Sequence, residues 1–330
     1  MLDRQVADLA MGEPRVATSP SRATVTRRRV NVLVALRKYW LLYALFAPTL
    51  ILIVVFNFIP NILTVPLVFK KYYLLKGIWG SPWIGLGNLE ALWRSPDFLI
   101  VLRNTIIISV YRLVFGFFPP IALAILTHDL LLKRVRRITQ SITYLPHFFS
   151  WPIVYGIVLA LINPANGVII TFLRGWGLDP GNLLISEAFF RPLIVITGIW
   201  KEVGWGAIIY LAALAGIEPE LYEAATVDGA EWYHRIIYIT LPGIKPVVTL
   251  LLTLSLAGIL SAGFEQVYLF YSPLTYSVGD IIDTWVYRRG LLSADFGLAT
   301  AVGFFKSVIG LLLILIANKL AKRFAGQGIW

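Results

Sequence analysis

The sequence predicts an all-α integral membrane protein with six transmembrane helices. Three observations carry that expectation. The 330 residues are 58% hydrophobic and only 14% charged, with a mean hydropathy of +0.76. Soluble domains are about 45–50% apolar and about 25% charged, so the departure is toward membrane composition. Six apolar runs each approach the roughly 20 residues that an α-helix needs to cross a hydrocarbon layer about 30 Å thick. Finally, lysine and arginine alternate between the connections in the way that fixes membrane orientation.

The runs fall at about 40–59, 99–126, 142–162, 192–215, 246–268 and 299–319. Any one of them could be a buried helix of a soluble core, but six in one chain argue for spans. Pro146 and Pro152 interrupt the third, which a membrane helix tolerates when neighbours satisfy the freed carbonyls. Gly116, Pro119 and Pro120 bend the second. The N-terminal tail, 127–141, 216–245 and the C-terminal tail together hold roughly twice as many lysines and arginines as 60–98, 163–191 and 269–298. Both termini are therefore expected in the cytoplasm, with Lys133 to Arg137 (KRVRR) in a short inner connection. Residues 1–39 form a cytoplasmic tail. Residues 1–26 are polar and expected to be disordered. Arg27 to Trp40 reads either as a basic amphipathic helix at the inner interface or as a charged anchor for the first span. No cleaved signal peptide is expected, because the first run starts late and is too long.

Several functions are excluded or disfavoured by residue type. There is no cysteine, so disulfides, thiolate metal sites and a cysteine nucleophile are excluded. His128, His147 and His234 lie far apart and form no metal spacing. The net charge of +11 fits basic loops at anionic lipid, and no soluble basic face points to nucleic acid. No GxxxxGK[ST] phosphate loop is present, so this chain has no ATP site of its own. Clear inverted repeats, a common sign of secondary carriers, are also not seen.

The polar segment between the fourth and fifth runs is the least membrane-like part of the interior. Pro219 can begin a helix, where its missing N–H is no loss, and Glu218 and Glu220 suit a helix N-terminus. Gly229 supplies a bend, and a second helix runs from Ala230 toward Thr240, where Pro242 is expected to limit it. Glu218, Glu220, Glu223, Asp228 and Glu231 face one base, Arg235. The result is either an acidic docking surface with small residues or an ordinary amphipathic loop.

Ionisable groups inside spans are costly and usually face protein or a water-filled path. Arg112 with Tyr111, Lys201 with Glu202, and Lys306 are such groups, and Glu265 and Gln266 close the fifth run near its outer end. Lys201 and Trp205 share a helix face, whereas Lys201 and Glu202 do not, so no ion pair within that helix is expected. Each group either lines a substrate path or snorkels and pairs structurally. Trp79, Trp83 and Trp93 in the long 60–98 loop mark the interfacial belt or line a sugar site.

The segment EAATVDGAEWYHRIIYITLPG resembles the EAA loop of binding-protein-dependent ABC importer permeases. Glu223, Ala224, Ala225, Asp228, Gly229, Ala230, Ile239, Leu241 and Pro242 match its pattern. The aromatic often found after the glycine is replaced by Ile236 or displaced to Trp232. WIGLGNLEALWRSPDFLIVLRNTIIIS and SADFGLATAVGFFKSVIGLLLILIANKLAKRF are similar to further segments of the polysaccharide branch. The resemblance covers about 40–330 and, within the branch, points to an alginate-importer permease. It implies a type I importer fold and one half of a two-permease pore in the bacterial inner membrane. It also implies two ATPase subunits that bind ATP and Mg2+, and a solute-binding protein that delivers an oligosaccharide. A non-transporting scaffold and a secondary carrier are the competing readings.

Overall fold

The computed structural model describes residues 37–130 and 132–325. The expected interfacial helix at Arg27 to Trp40 and the disorder expected at 1–26 lie almost wholly outside them. The described residues are helical throughout, apart from loops and one isolated bridge between Lys70 and Trp83. The chain divides at Pro60 into two units, 1–60 and 61–330.

In the first unit, α1 (Trp40–Ile53) passes into a π-helical turn, Val54–Phe58. The Ile59 N–H bonds the Val54 carbonyl, five residues back. Pro60 follows and has no N–H to continue an α ladder, so the register slips by one residue where the donor is lost. Its apolar side chains are exposed, as expected of a surface whose solvent is lipid.

The second unit is built on α2 (Pro96–His128) and α5 (Glu187–Leu214), its most extensively packed helix pair. Between them lie α3 (Lys133–Tyr144) and α4 (Trp151–Ile162). The helical stretches Lys133–Phe148 and Trp151–Ile162 meet at 105°. The third run is therefore not one straight span. Phe149 and Ser150 are extended, and Pro146 and Pro152 punctuate the break. The chain turns at these two extended residues, and Pro152, at the start of α4, suits a helix's first turn because its missing N–H is no loss there.

After the polar loop, α6 (Pro219–Val227) and α7 (Trp232–Arg235) lead through a second π turn, Ile236–Thr240, into α8 (Leu241–Ala257). Pro242 was expected to end the helix. Instead the helix continues through it: the Leu241 N–H bonds the Ile236 carbonyl, repeating the π-before-proline device of α1. The fifth run is shorter than expected. It stops at Ala257, and α9 (Phe264–Phe270) starts after Gly263, which has φ +86°. The last helix, α10 (Phe296–Ala325), is continuous.

Five helices are long and apolar enough to span a membrane, or six if the bent pair counts as one. Three buried clusters hold the second unit together. Ile108, Phe190, Ile194, Val267 and Ile281 centre the first, Ala124, Ala207, Leu214 and Ile244 the second, and Leu92, Phe98, Trp285 and Val302 the third. The 60–98 segment is tied down by Asn88, whose amide donates to the carbonyls of Leu67, Val68 and Lys70. Trp93, exposed, packs edge-on against Phe98 of the third cluster and against Phe305, while Trp83 stacks on Phe69.

Candidate functional site

The polar loop has a specific local cause. In α6 the Ala230 N–H bonds the Ala225 carbonyl at 2.8 Å and the Gly229 N–H bonds that of Thr226 at 3.1 Å. These two bonds are a Schellman stop, which needs a left-handed residue between them. Gly229 supplies it, with φ +76°. The spacing Ala225, Gly229, Ala230 is therefore the spacing of a helix terminator. Glu223, Ala224, Asp228, Gly229 and Trp232 are exposed, whereas Ala225 and Ala230 are half-buried at the stop.

Two side-chain clasps hold this helix–turn–helix to the spans. The Tyr222 hydroxyl meets Thr240 Oγ1 at 3.0 Å. Trp232 Nε1 donates to Asp129 Oδ2 at 2.6 Å, just past the end of α2. Ile236 turns inward and packs on the second core cluster, while Trp232, like Tyr233 and Tyr238, is exposed at the surface. Leu241 and Pro242 are exposed where the loop joins α8.

A cavity of about 370 Å³ lies between α2, α5 and the α8–α9 break, and Arg112 and Glu202 both line it, with Ser109, Ser255 and Ser261. Arg112 spans the break: its Nη1 donates to the Ala262 carbonyl and to Gln266 Oε1, both at 2.9 Å. Gln266, fully buried, donates to the Ile194 carbonyl and to Thr197 Oγ1 on α5. Gly263 permits this arrangement, because a Cβ there would lie 1.9 Å from Arg112 Nη1. Gln266 was expected at the outer end of a continuous fifth span; it is a buried strut across a broken one. Its neighbour Glu265 is exposed.

Lys201, 6% exposed, donates to the His147 carbonyl at 2.6 Å and lies 3.5 Å from Glu202 Oε1. Glu202 Oε2 is 2.8 Å from His147 Nδ1. The expectation of no ion pair within that helix is overturned. Adjacent positions diverge on a helix, but both side chains are long and converge on one residue, His147 at the α3–α4 break. Trp205 stacks on the His147 ring at 4.4 Å, and Lys201 lies over the Trp151 ring at 5.6 Å. Sequence separation hid His147; its single signal was a titratable residue beside Pro146 in an apolar run.

Lys306 pairs with Asp283 at 2.6 Å. Tyr111 is exposed and edge-on to Phe115. The structure thus brings Arg112 and Glu202 to one cavity, with Gln266 buried behind Arg112, and Lys201 and Trp205 meeting at His147. Lys306 belongs to a different contact, and Glu265 and Tyr111 join neither cluster. A row of rings was not foreseen: Phe264, Tyr268, Tyr271 and Tyr276 contact in succession at 5.5, 5.8 and 5.0 Å. Arg288 lies 4.4 Å over Tyr276 and pairs with Asp280. Burial opposes the Arg288 charge, but its hydrogen bonds to the Asp280 carboxylate and the Tyr271 hydroxyl dominate and raise its pKa above the ordinary value.

A helical multi-pass protein with a broken span, a cavity between its helices and a helix–turn–helix between spans has an architecture that suits a membrane permease. The family model described as "Binding-protein-dependent transport system inner membrane component" matches residues 116–326, and the chain belongs to that family. It is a multi-pass inner-membrane permease subunit of the ABC-importer type, in the sugar and polysaccharide branch, and is non-catalytic. It is 38% identical over 304 residues to the polygalacturonan/rhamnogalacturonan transport system permease protein YteP of Bacillus subtilis (strain 168), covering 92% of this chain and 94% of that one. Protein LplB of the same organism is 39% identical over 301 residues, covering 91% and 94%. A chain in the crystal structure of a bacterial alginate ABC transporter, in complex with an alginate pentasaccharide-bound periplasmic protein, matches with a TM-score of 0.83. It is 38% identical, covering 90% of this chain and 99% of that chain. Among the described residues no cluster of three or more histidines or carboxylates is placed to hold a metal ion.

Proposed function

We propose that this chain, through its permease domain at 40–330, forms one half of the pore of an ATP-driven importer for an oligosaccharide, with alginate or another uronate oligomer as cargo. The second permease subunit completes the pore. Two ATPase subunits bind ATP and Mg2+ beneath it, and a solute-binding protein delivers the sugar to the opposite face. Both termini and the loop Glu223 to Pro242 lie in the cytoplasm. The observation that carries the reading is the loop itself. An exposed acidic helix, α6, is closed by a Schellman stop, and the α7 that follows is clasped to α2 through Trp232 and Asp129 and runs through the π turn into α8. Such a loop is joined directly to two cavity-lining helices, as a coupling element must be. The names of the relatives support an acidic polysaccharide, and the ring row suits sugar stacking.

Arg112, Glu202 and Trp205, with Lys201 behind them, are the proposed substrate path; Tyr111, Glu265, Gln266 and Lys306 support it less directly. A neutral oligosaccharide is the second reading. It is favoured by the neutralisation of Lys201 by Glu202 and of Lys306 by Asp283, and a relative at 30% identity is an arabinooligosaccharides permease. The test is ATP-driven uptake in proteoliposomes holding the full assembly, with labelled acidic and neutral oligosaccharides. Replacing Glu223 and Gly229 together should abolish uptake while leaving membrane insertion intact. Unimpaired uptake would sink the coupling role, and uptake without the ATPase would point to a secondary carrier.

A further inference from the structure

Several cations of the second unit are matched to a carboxylate: Lys306 to Asp283, Arg288 to Asp280, Arg289 to Asp97 and Arg174 to Asp179. Arg103 and Arg191 are not. Arg103 on α2 donates through Nη2 to the Ser277 carbonyl at 2.9 Å and to Asn104 Oδ1 at 3.5 Å. Arg191 on α5 donates through Nε to the Val278 carbonyl at 3.2 Å and through Nη2 to the same Asn104 Oδ1 at 3.0 Å. Asn104 is fully buried, and its amide nitrogen is committed to the carbonyls of Tyr276 and Ser277. Its oxygen is thereby fixed toward both guanidinium groups.

Two like charges thus share one neutral oxygen, on helices that pack along their length. Among the described residues no carboxylate lies within ion-pair distance of either. The nearby Glu187 accepts from the Ser277 hydroxyl instead. Like charges held this close repel, and neutral acceptors offset that only in part. Each guanidinium has five N–H donors, and the Nη1 group of each has no protein acceptor among the described residues. Arg103 is exposed and Arg191 half-buried, so the pair is reachable. A planar carboxylate accepting from both would convert a repulsion into two charge-assisted contacts.

We infer that Arg103 and Arg191 form an anion-binding position for the carboxylate of an acidic sugar, ahead of the Arg112 cavity on the substrate path. Arg103 lies about 10 Å and Arg112 about 24 Å along α2 from Pro96, at 1.5 Å per residue. The ring row Tyr276, Tyr271, Tyr268 and Phe264 runs between the same two levels, from the segment clasped by Asn104 to the residue after Gly263. Carboxylates at the arginines and sugar faces on the rings would make one track. The inference rests on the importer reading and on substrate entering from the Pro96 end of α2.

The test compares uptake of a short oligogalacturonate with that of its carboxyl-reduced neutral analogue, in proteoliposomes holding the whole assembly. In Arg103→Gln/Arg191→Gln, the ratio of acidic to neutral uptake should fall at least about tenfold, since a charge-assisted hydrogen bond contributes that much. Arg103→Lys/Arg191→Lys should recover most of the ratio. An unchanged ratio overturns the inference: if both uptakes fall together, the arginines only clamp the 276–278 carbonyls. A second readout is equilibrium binding of labelled oligogalacturonate to the detergent-solubilised assembly. Binding that the double glutamine variant loses sustains the inference even if no uptake is seen, in which case the importer reading fails alone. No binding by the unmodified assembly overturns the inference, while ATP-driven uptake of the neutral analogue would leave the importer reading standing.

Discussion

Gly263 and Gly229 have nearly the same backbone, φ +86° and +76°, in different surroundings. A Cβ at Gly229 would meet nothing within 4 Å; at Gly263 it would meet Arg112 Nη1 at 1.9 Å and Cζ at 2.9 Å. Gly229→Ala should therefore cost only the left-handed penalty, about 1–2 kcal/mol. Gly263→Ala incurs the same penalty and also displaces Arg112, breaking its bonds to Ala262 and Gln266. Those are charge-assisted, at about 1.5–3 kcal/mol each, and are not fully additive. The total for Gly263→Ala is then about 3–6 kcal/mol. Thermal melting of the assembled complex in detergent should rank the native chain above Gly229→Ala and both well above Gly263→Ala. On an Arg112→Ala background the clash is absent, and the added cost of Gly263→Ala should shrink to that of Gly229→Ala. Equal destabilisation by the two glycine substitutions, or no coupling to Arg112, would refute the role of Arg112 as the strut across the break.

Lys201→Met should cost about 1–3 kcal/mol in the same melt by leaving the His147 carbonyl without its donor, and adding Glu202→Gln should recover part of the loss; two simply additive losses would contradict the shared contact. Trp232→Phe keeps the ring and removes the donor to Asp129. It should lower stability by no more than about 1 kcal/mol while uptake falls and ATP hydrolysis persists, and a parallel fall in both rates would argue against coupling through this clasp. Because the native chain has no cysteine, Asp129→Cys/Trp232→Cys can be bridged by a short bismaleimide; bridging should arrest uptake if the loop moves relative to α2 during the cycle, and full activity after complete bridging would exclude that motion.

The spans and the polar loop were legible because hydropathy and turn chemistry are local. Gly229 announced its bend, and Pro219 and Glu218 the start of α6. What sequence hid was set by partners far along the chain. Pro242 reads as a stop, but the helix survives it by slipping one residue into a π turn, since a ladder with one donor missing can re-register when its ends are held. The 246–268 run reads as one helix because apolar composition does not reveal that Gly263 must admit a guanidinium from α2. Lys201 and Glu202 stand out in the sequence as ionisable groups inside an apolar run. Their company, His147, lies more than fifty residues away. The same distance effect concealed Arg103 and Arg191, which meet at Asn104 only when α2 and α5 are placed side by side.

The absence of a hinge between loop and span has a mechanical consequence. Trp232–Leu256 forms a helix of 25 residues in which the π turn shifts the register without interrupting the rod. At 1.5 Å per residue it is about 37 Å long, so a tilt of about 10° about its Trp232 end sweeps the far end through roughly 6 Å. That end adjoins the break at Gly263 that Arg112 bridges, and the displacement exceeds the reach of any hydrogen bond. Under the coupling role proposed for the loop, a small rotation there is amplified into making or breaking the Arg112 strut, and the helix acts as a lever whose long arm operates a catch.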